Sequence, residues 1–182
     1  SLDLPGKFVK ALCPYDENFR LCLHISPWLY YDKKQPNIFR QIQGGSSLRI
    51  RVHYVSPKGS AEQVAEAIAR AVKCVKEPLL PAYMPENVKL MFLGCEGNKA
   101  DKVTMDFIAS LTPNRVANAA LFHCGKDQQA LSQMRKALND KGIQVLDMTL
   151  TTPLKGLFGG GPTQADLERA RQFAEDCVNS LA

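Results

Sequence analysis

The sequence predicts an α/β domain over residues 48–182, built on a parallel sheet with helices on both faces. Short apolar segments alternate along this region with longer segments that carry an apolar stripe at helical spacing. Glycine or proline stands at most of the junctions between them, as tight connections require. The chain has 182 residues, of which 45% are hydrophobic, which is enough for one domain with a substantial core.

Five short apolar segments predict the strands of this sheet. The third segment is expected to stop at Gly94, because glycine interrupts the apolar run there. Since right-handed crossovers leave few topologies for such a chain, we predict five parallel strands in the order 2-1-3-4-5. The predicted strands cover residues 48–55, 74–80, 88–93, 116–124 and 143–148.

Four segments with apolar residues three and four positions apart predict the helices. Ser60 and Gln63 fit a capping box, which places the start of the first helix. Gly142 is expected just after the third helix, and Thr163 is expected to cap the fourth. The first three predicted helices cover residues 60–73, 101–111 and 127–141.

Residues 1–47 differ in character from the rest of the chain. They contain four prolines and several aromatic residues, Trp28 among them, and residues 43–47 read as a hinge. We interpret this extension as an arm that covers a sheet edge or a helix of the domain. An independent binding module is the alternative interpretation.

Composition argues against several classes of function. The net charge of +5 is scattered, without a run of lysine or arginine, so no nucleic-acid partner is predicted. No apolar run approaches the roughly 18 residues of a membrane span. The six cysteines include no C-x-x-C pair, which argues against a zinc site or a thioredoxin-type motif. We expect reduced thiols and a cytoplasmic location.

Ligands of parallel α/β sheets bind at the carboxyl ends of the strands, which here places a site on loops 56–60, 94–100 and 125–127. Cys95 and Cys124 both lie near glycines at strand ends. They are either a redox-active pair facing one cleft or small residues that fill the strand ends. His123 is interpreted as a core or edge residue, because neighbouring residues of a strand point to opposite faces.

The segment YVSPKGSAE at residues 54–62, between the first strand and the first helix, resembles the phosphate loop of flavodoxins. The segment LFGGGPT at residues 157–163, with the helix that follows it, is similar to small flavodoxin-like proteins of anaerobic bacteria. The resemblance covers residues 48–182 and implies a flavodoxin-like three-layer sandwich.

This resemblance implies an FMN cofactor and a role as an electron carrier or accessory redox subunit, rather than as a stand-alone enzyme. Its partner would be a redox protein or reductase that gives or receives the electrons. No catalytic or metal-binding residue is implied. The cofactor-binding residues implied by the match are Ser56, Lys58, Gly59, Ser60, Ala61, Gly97, Asn98, Cys124 and Gly125.

The sequence also departs from the flavodoxin pattern. Pro57, Lys58 and Ala61 stand where the family prefers threonine, and Lys58 would replace lost hydroxyls with a full charge. Loops 94–99 and 122–127 lack an aromatic residue beyond the strand end that would stack on a flavin. Two interpretations therefore remain: an FMN-binding electron carrier, and a flavin-free interaction or regulatory module with a degenerate phosphate loop.

Overall fold

The computed structural model describes residues 48–79, 85–154 and 160–181. The predicted arm at residues 1–47 lies outside the described residues, as do Cys13, Cys22 and Trp28. Strands and helices alternate along the described part. In chain order the elements are β1 Ile50–Tyr54, α1 Ser60–Ala71, β2 Val75–Pro78, β3 Val88–Glu96, α2 Lys102–Ser110, β4 Val116–Cys124, α3 Gln129–Asp140, β5 Gln144–Thr152 and α4 Gln164–Asn179.

The five strands form one parallel sheet in the order β2-β1-β3-β4-β5, which confirms the predicted topology. Strands β3 and β4 lie inside the sheet and are almost entirely buried, as expected for strands covered on both faces. The edge strands are more exposed; Val75 in β2, for example, retains 51% of its accessible surface.

Helices cover the two faces of the sheet in pairs. On one face α1 and α4 pack on β-strand side chains such as Val52 and Phe92. On the other face α2 and α3 pack on the alternate residues, such as Met91 and Leu93. Successive residues of a strand point to opposite faces, so the unbroken apolar run of β3 supplies both cores.

Strand β3 does not stop at Gly94, as the sequence suggested, but continues to Glu96. Gly94 stays in the sheet, where its carbonyl accepts a hydrogen bond of 3.0 Å from the N–H of Val55. A Cβ atom at Gly94 would lie only 2.1 Å from the ring of Phe122 on β4. The glycine therefore marks a place where an aromatic ring crosses the neighbouring strand, and Glu96 becomes the last strand residue.

Two of the three predicted helix-end signals are confirmed. Gly142 follows α3 with φ of 74°, and Thr163 caps α4 in a capping box with Asp166. The capping box predicted at Ser60 and Gln63 is wrong. The N-cap of α1 is Gly59, and its N–H groups receive their acceptors from elsewhere in the chain.

Cys95 and Cys124 do not face one cleft, so the hypothesis of a thiolate pair is wrong. Cys95 lies in the core under α2 and α3, and Cys124 lies in the core under α1 and α4. Both are fully buried, and burial raises the pKa of Cys95 to about 12 and of Cys124 to about 11. They are small apolar residues that fill the ends of their strands.

His53 is a buried histidine of β1, 2% exposed, whose ring centroid lies 5.4 Å from that of Phe107 on α2. Its Nδ1 is 4.0 Å from the Glu77 carboxylate, beyond hydrogen-bond range, and its Nε2 has no hydrogen-bond partner among the described residues. Burial, assisted by the positive charge of Arg51, lowers the pKa of His53 to about 4.

We expect the buried thiols to be unreactive in the native protein. At pH 8 a thiol reagent should leave Cys95, Cys124 and Cys177 unmodified, because burial raises the pKa of each to 11 or 12. After denaturation without reductant, all three should react. Peptide mapping by mass spectrometry separates them from the other cysteines, and rapid native modification of Cys95 or Cys124 would contradict the assignment.

We expect the free energy of unfolding to fall as the pH drops from 6.5 to about 4. The pKa of His53 is about 4 in the folded protein and 6.5 for an ordinary exposed histidine, so the unfolded chain takes up a proton first. The full effect is about 3 kcal/mol. It should be measured as the difference in urea unfolding between the parent and His53→Phe, which removes this titration. Equal pH slopes for the two proteins would contradict the prediction.

Candidate functional site

The loop after β1 surrounds a carboxylate that comes from β3. The side chain of Glu96 reaches into this loop and accepts three hydrogen bonds. The hydroxyl of Ser56 donates to Oε1 over 2.6 Å, and the N–H of Ala61 donates to the same oxygen over 2.8 Å. The N–H of Lys58 donates to Oε2 over 2.7 Å. The loop is thus an anion-binding cradle that holds an anion of its own chain.

The same contacts cap the first helix. Ala61 and Glu62 are the second and third residues of α1, so their N–H groups have no acceptor within the helix. The Glu96 carboxylate takes the first, and the hydroxyl oxygen of Ser56 accepts the second over 2.9 Å. Gly59 stands at the N-cap with φ of 84°, a conformation that favours glycine and leaves no side chain there.

This arrangement answers two electrostatic requirements at once. The start of α1 is buried, since Ser60 and Ala61 have no accessible surface, and buried N–H groups without acceptors are costly. Glu96 is itself only 9% exposed, and a buried carboxylate needs donors and positive charge around it. The N-terminal end of a helix supplies both.

A second carboxylate of the same region is held away from the cradle. The hydroxyl of Tyr54 donates to Oε1 of Glu62 over 3.2 Å, and the ammonium of Lys76 lies 3.1 Å from the same oxygen. Lys76 also lowers the pKa of the Glu62 carboxyl group through this hydrogen bond and its charge. The Glu62 side chain therefore adds negative charge near the loop, but its carboxylate contacts Tyr54 and Lys76 rather than the donors that hold Glu96.

The loop after β3 is fastened to β4 by its backbone. The N–H of Gly97 donates to the carbonyl of Cys124 over 3.0 Å, and the carbonyl of Gly97 contacts Nε2 of His123. Because that carbonyl is an acceptor, Nε2 carries the hydrogen. His123 is fully buried, which confirms its interpretation as a core residue. The N–H of Gly125 in turn donates to the carbonyl of Thr152 over 3.0 Å.

The structure brings together some of the predicted site residues. The predicted residues of the loop after β1 either donate hydrogen bonds to Glu96 or form the start of α1. Asn98 is exposed on the loop after β3. The thiol of Cys124 points into the core and lies 3.1 Å from Oγ1 of Thr152, and the residue as a whole has no accessible surface. Flavin binding by these residues remains a prediction.

Sequence reasoning missed Glu96 as a member of this site. The signal was present in the strand register, since Tyr54 of β1 pairs with Gly94 of β3. Two residues further on, β3 places Glu96 beside the loop that follows β1. Because the strand was predicted to end at residue 93, three residues before Glu96, this residue was assigned to loop 94–100 without a direction for its side chain.

The donor set suits a phosphate group, since it combines a hydroxyl, backbone N–H groups and a helix N-terminus. Each of these three donors already serves the Glu96 carboxylate. The site therefore fits the phosphate of FMN only when the side chain of Glu96 withdraws. Within the described ranges, no three metal-ligating side chains cluster, and none of the helices could serve as a membrane span.

Comparison with known proteins supports the fold. No family model and no curated protein sequence matches the chain. Flavodoxin 2 from Bacillus cereus is similar in structure, with a TM-score of 0.57, 16% identity, and coverage of 72% of this chain and 99% of that one. A short-chain flavodoxin associated with a PDU bacterial microcompartment has a TM-score of 0.57 and 15% identity, over 73% and 98% of the chains.

A flavodoxin from the domain Archaea is similar as well, with a TM-score of 0.54 and 15% identity over 72% of this chain and 96% of the other. At 15–16% identity these similarities bear on the fold alone, and they agree with the observed sheet. The described part of the chain therefore has the flavodoxin-like fold that the sequence resemblance implied.

Proposed function

We propose that this domain is a cytoplasmic FMN-binding electron-transfer module that passes electrons to or from a partner redox enzyme. The observation that carries the proposal is the cradle itself. Three donors from Ser56, Lys58 and Ala61 converge within 2.8 Å on one buried anion at the start of a helix. A loop with this geometry is suited to the phosphate of a flavin mononucleotide.

In this proposal the chain binds and orients the cofactor, and FMN supplies the reversible electron transfer when it is bound. The phosphate would be held by Ser56 and Ser60 and by the backbone from Lys58 to Ala61. The flavin ring would lie against the two following loops. Its contacts there would come from Gly97, Asn98 and Gly125.

A flavin-free interaction or regulatory module is the second candidate. The specific observation in its favour is that Glu96 already satisfies the donors of the phosphate loop. In such a module the carboxylate would be a permanent cap of α1, and the domain would act through its surface on a partner protein.

Titration calorimetry with FMN distinguishes these two candidates. Absorbance of the purified protein in the flavin bands would show independently whether it carries a flavin. Saturable FMN binding with a stoichiometry near one favours the electron-transfer module. An absence of FMN binding to the parent protein would overturn it in favour of the flavin-free module. Riboflavin, which lacks the phosphate, should bind more weakly than FMN if the cradle is the phosphate site.

We expect Lys58→Ala to weaken FMN binding about tenfold, because it removes a charge beside the phosphate loop. The lysine is exposed, so solvent screens its charge and the effect belongs at the low end for a charged contact. Lys58→Glu should weaken binding further, since it opposes the phosphate with a negative charge. The measurement is calorimetric titration with FMN and with riboflavin.

Lys89→Ala is the matched control for this prediction. Lys89 is an exposed lysine near the amino end of β3, at the opposite end of the sheet from the loop. Its replacement changes the net charge equally and should leave FMN binding within about twofold of the parent. A direct contact between Lys58 and the phosphate would be contradicted if both variants weakened FMN binding equally. It would also be contradicted if Lys58→Ala weakened riboflavin binding as much as FMN binding.

A further inference from the structure

We propose that Glu96 is an internal competitor for the phosphate site, and that its displacement sets the affinity of the loop for phosphate-bearing ligands. The inference rests on the proposed function as far as FMN is the physiological ligand. It concerns this chain's own side chain, and it can be tested with inorganic phosphate alone.

The competition follows from the number of donors and their use. Oε1 of Glu96 takes the Ser56 hydroxyl and the Ala61 N–H, and Oε2 takes the Lys58 N–H. A phosphate in the loop needs the same three hydrogens. The negative charge of the phosphate would also lie close to the Glu96 carboxylate, and solvent would screen their repulsion poorly because Glu96 is only 9% exposed. The two anions therefore exclude each other.

The position of Glu96 in the fold makes such an exchange possible. It is the last residue of β3, and the exposed residues Asn98 and Lys99 follow shortly after it. Rotation about its own side-chain bonds withdraws the carboxylate toward this turn and leaves the pairing of β3 with its neighbours intact. Phosphate binding then becomes an exchange of one anion for another at the start of α1.

Such an exchange lowers the apparent affinity without changing the contacts of the bound ligand. The apparent dissociation constant is the intrinsic one divided by the fraction of molecules whose loop is open. If Glu96 fills the loop in 90–99% of molecules, its removal strengthens phosphate binding about 10- to 100-fold. A ligand that does not use the loop, such as riboflavin, gains nothing from the removal.

The test compares the parent with Glu96→Gln and Glu96→Ala. Glutamine keeps the size of the side chain, loses the charge, and sets an amide N–H₂ against one of the loop's donors, so it occupies the loop poorly. Alanine opens the loop entirely. Inorganic phosphate, FMN and riboflavin should each be titrated into all three proteins by calorimetry. Both variants should bind phosphate and FMN about 10- to 100-fold more tightly than the parent.

Glu62→Gln is the matched control. It removes one negative charge from the same region, but the Glu62 carboxylate contacts Tyr54 and Lys76 rather than the loop donors that hold Glu96. If the gain in affinity came from net charge alone, this variant would gain as much as Glu96→Gln. Direct competition predicts that it stays within about threefold of the parent.

Thermal unfolding provides a second readout. Glu96→Ala leaves the N–H groups of Lys58 and Ala61 without their carboxylate, so its melting temperature should fall below that of the parent. Millimolar phosphate should restore more of that loss than chloride does at equal ionic strength. Phosphate should raise the melting temperature of the parent less than that of Glu96→Ala. Phosphate that shifts parent and variant equally would contradict the inference.

The outcomes separate this inference from the proposed function. If the parent binds FMN and the Glu96 variants bind it no more tightly, the competitor role is overturned and the FMN module stands. If the variants bind inorganic phosphate tightly but no protein binds FMN, the competitor role stands and the FMN module is overturned. If no protein binds either ligand, both are overturned.

Discussion

The buried start of α1 is the constraint on which the site depends. Its first residues have no accessible surface, so their N–H groups must find acceptors inside the protein. Gly59 gives the chain the turn it needs, but it carries no side chain that could accept a hydrogen bond. The acceptors are the hydroxyl of Ser56 and the carboxylate of Glu96, the latter 35 residues from Ala61 in sequence.

This contact also depends on the length and register of β3. Parallel pairing sets Tyr54 opposite Gly94, so the loop after β1 lies beside the last two residues of β3. Gly94 allows the strand to pass under the ring of Phe122 without a break. A strand that ended at Gly94 would leave Glu96 in a loop, with no fixed direction toward the helix.

The parts of the fold that follow from periodicity were predictable. Strand β4 was predicted with its observed bounds, Val116–Cys124, because its apolar run and the glycine after it are local signals. The cap of α4 by Thr163 is equally local, since its hydroxyl accepts from the N–H of Asp166 three residues further on. The sheet order followed from the alternation of strands and helices together with the handedness of their connections.

The site was only partly predictable, for a physical reason. Ser56 and the loop donors lie next to one another in sequence, but their acceptor comes from another strand. The spacing of Ser60 and Gln63 satisfied the rule for a capping box. In the structure Ser60 is buried inside the helix, and the carboxylate of Glu96 from β3 accepts the hydrogen bond from the helix start. Likewise, the redox-active pair was one of two interpretations of Cys95 and Cys124, and the alternation of side chains along adjacent strands excludes it by placing them in different cores.

The two candidate functions differ in whether the anion at α1 is exchangeable. The helix start needs an anion or another strong acceptor in either case, so the carboxylate keeps the loop ordered when no ligand is bound. Moving a loop from mostly closed to mostly open takes only about 5.5 kcal/mol, and each tenfold step takes about 1.4 kcal/mol. Charged hydrogen bonds contribute about 1.5–3 kcal/mol each, so the three that Glu96 accepts are together of that size. A small change in the contacts of Glu96 is therefore enough to convert a permanent cap into a displaceable one on an unchanged fold.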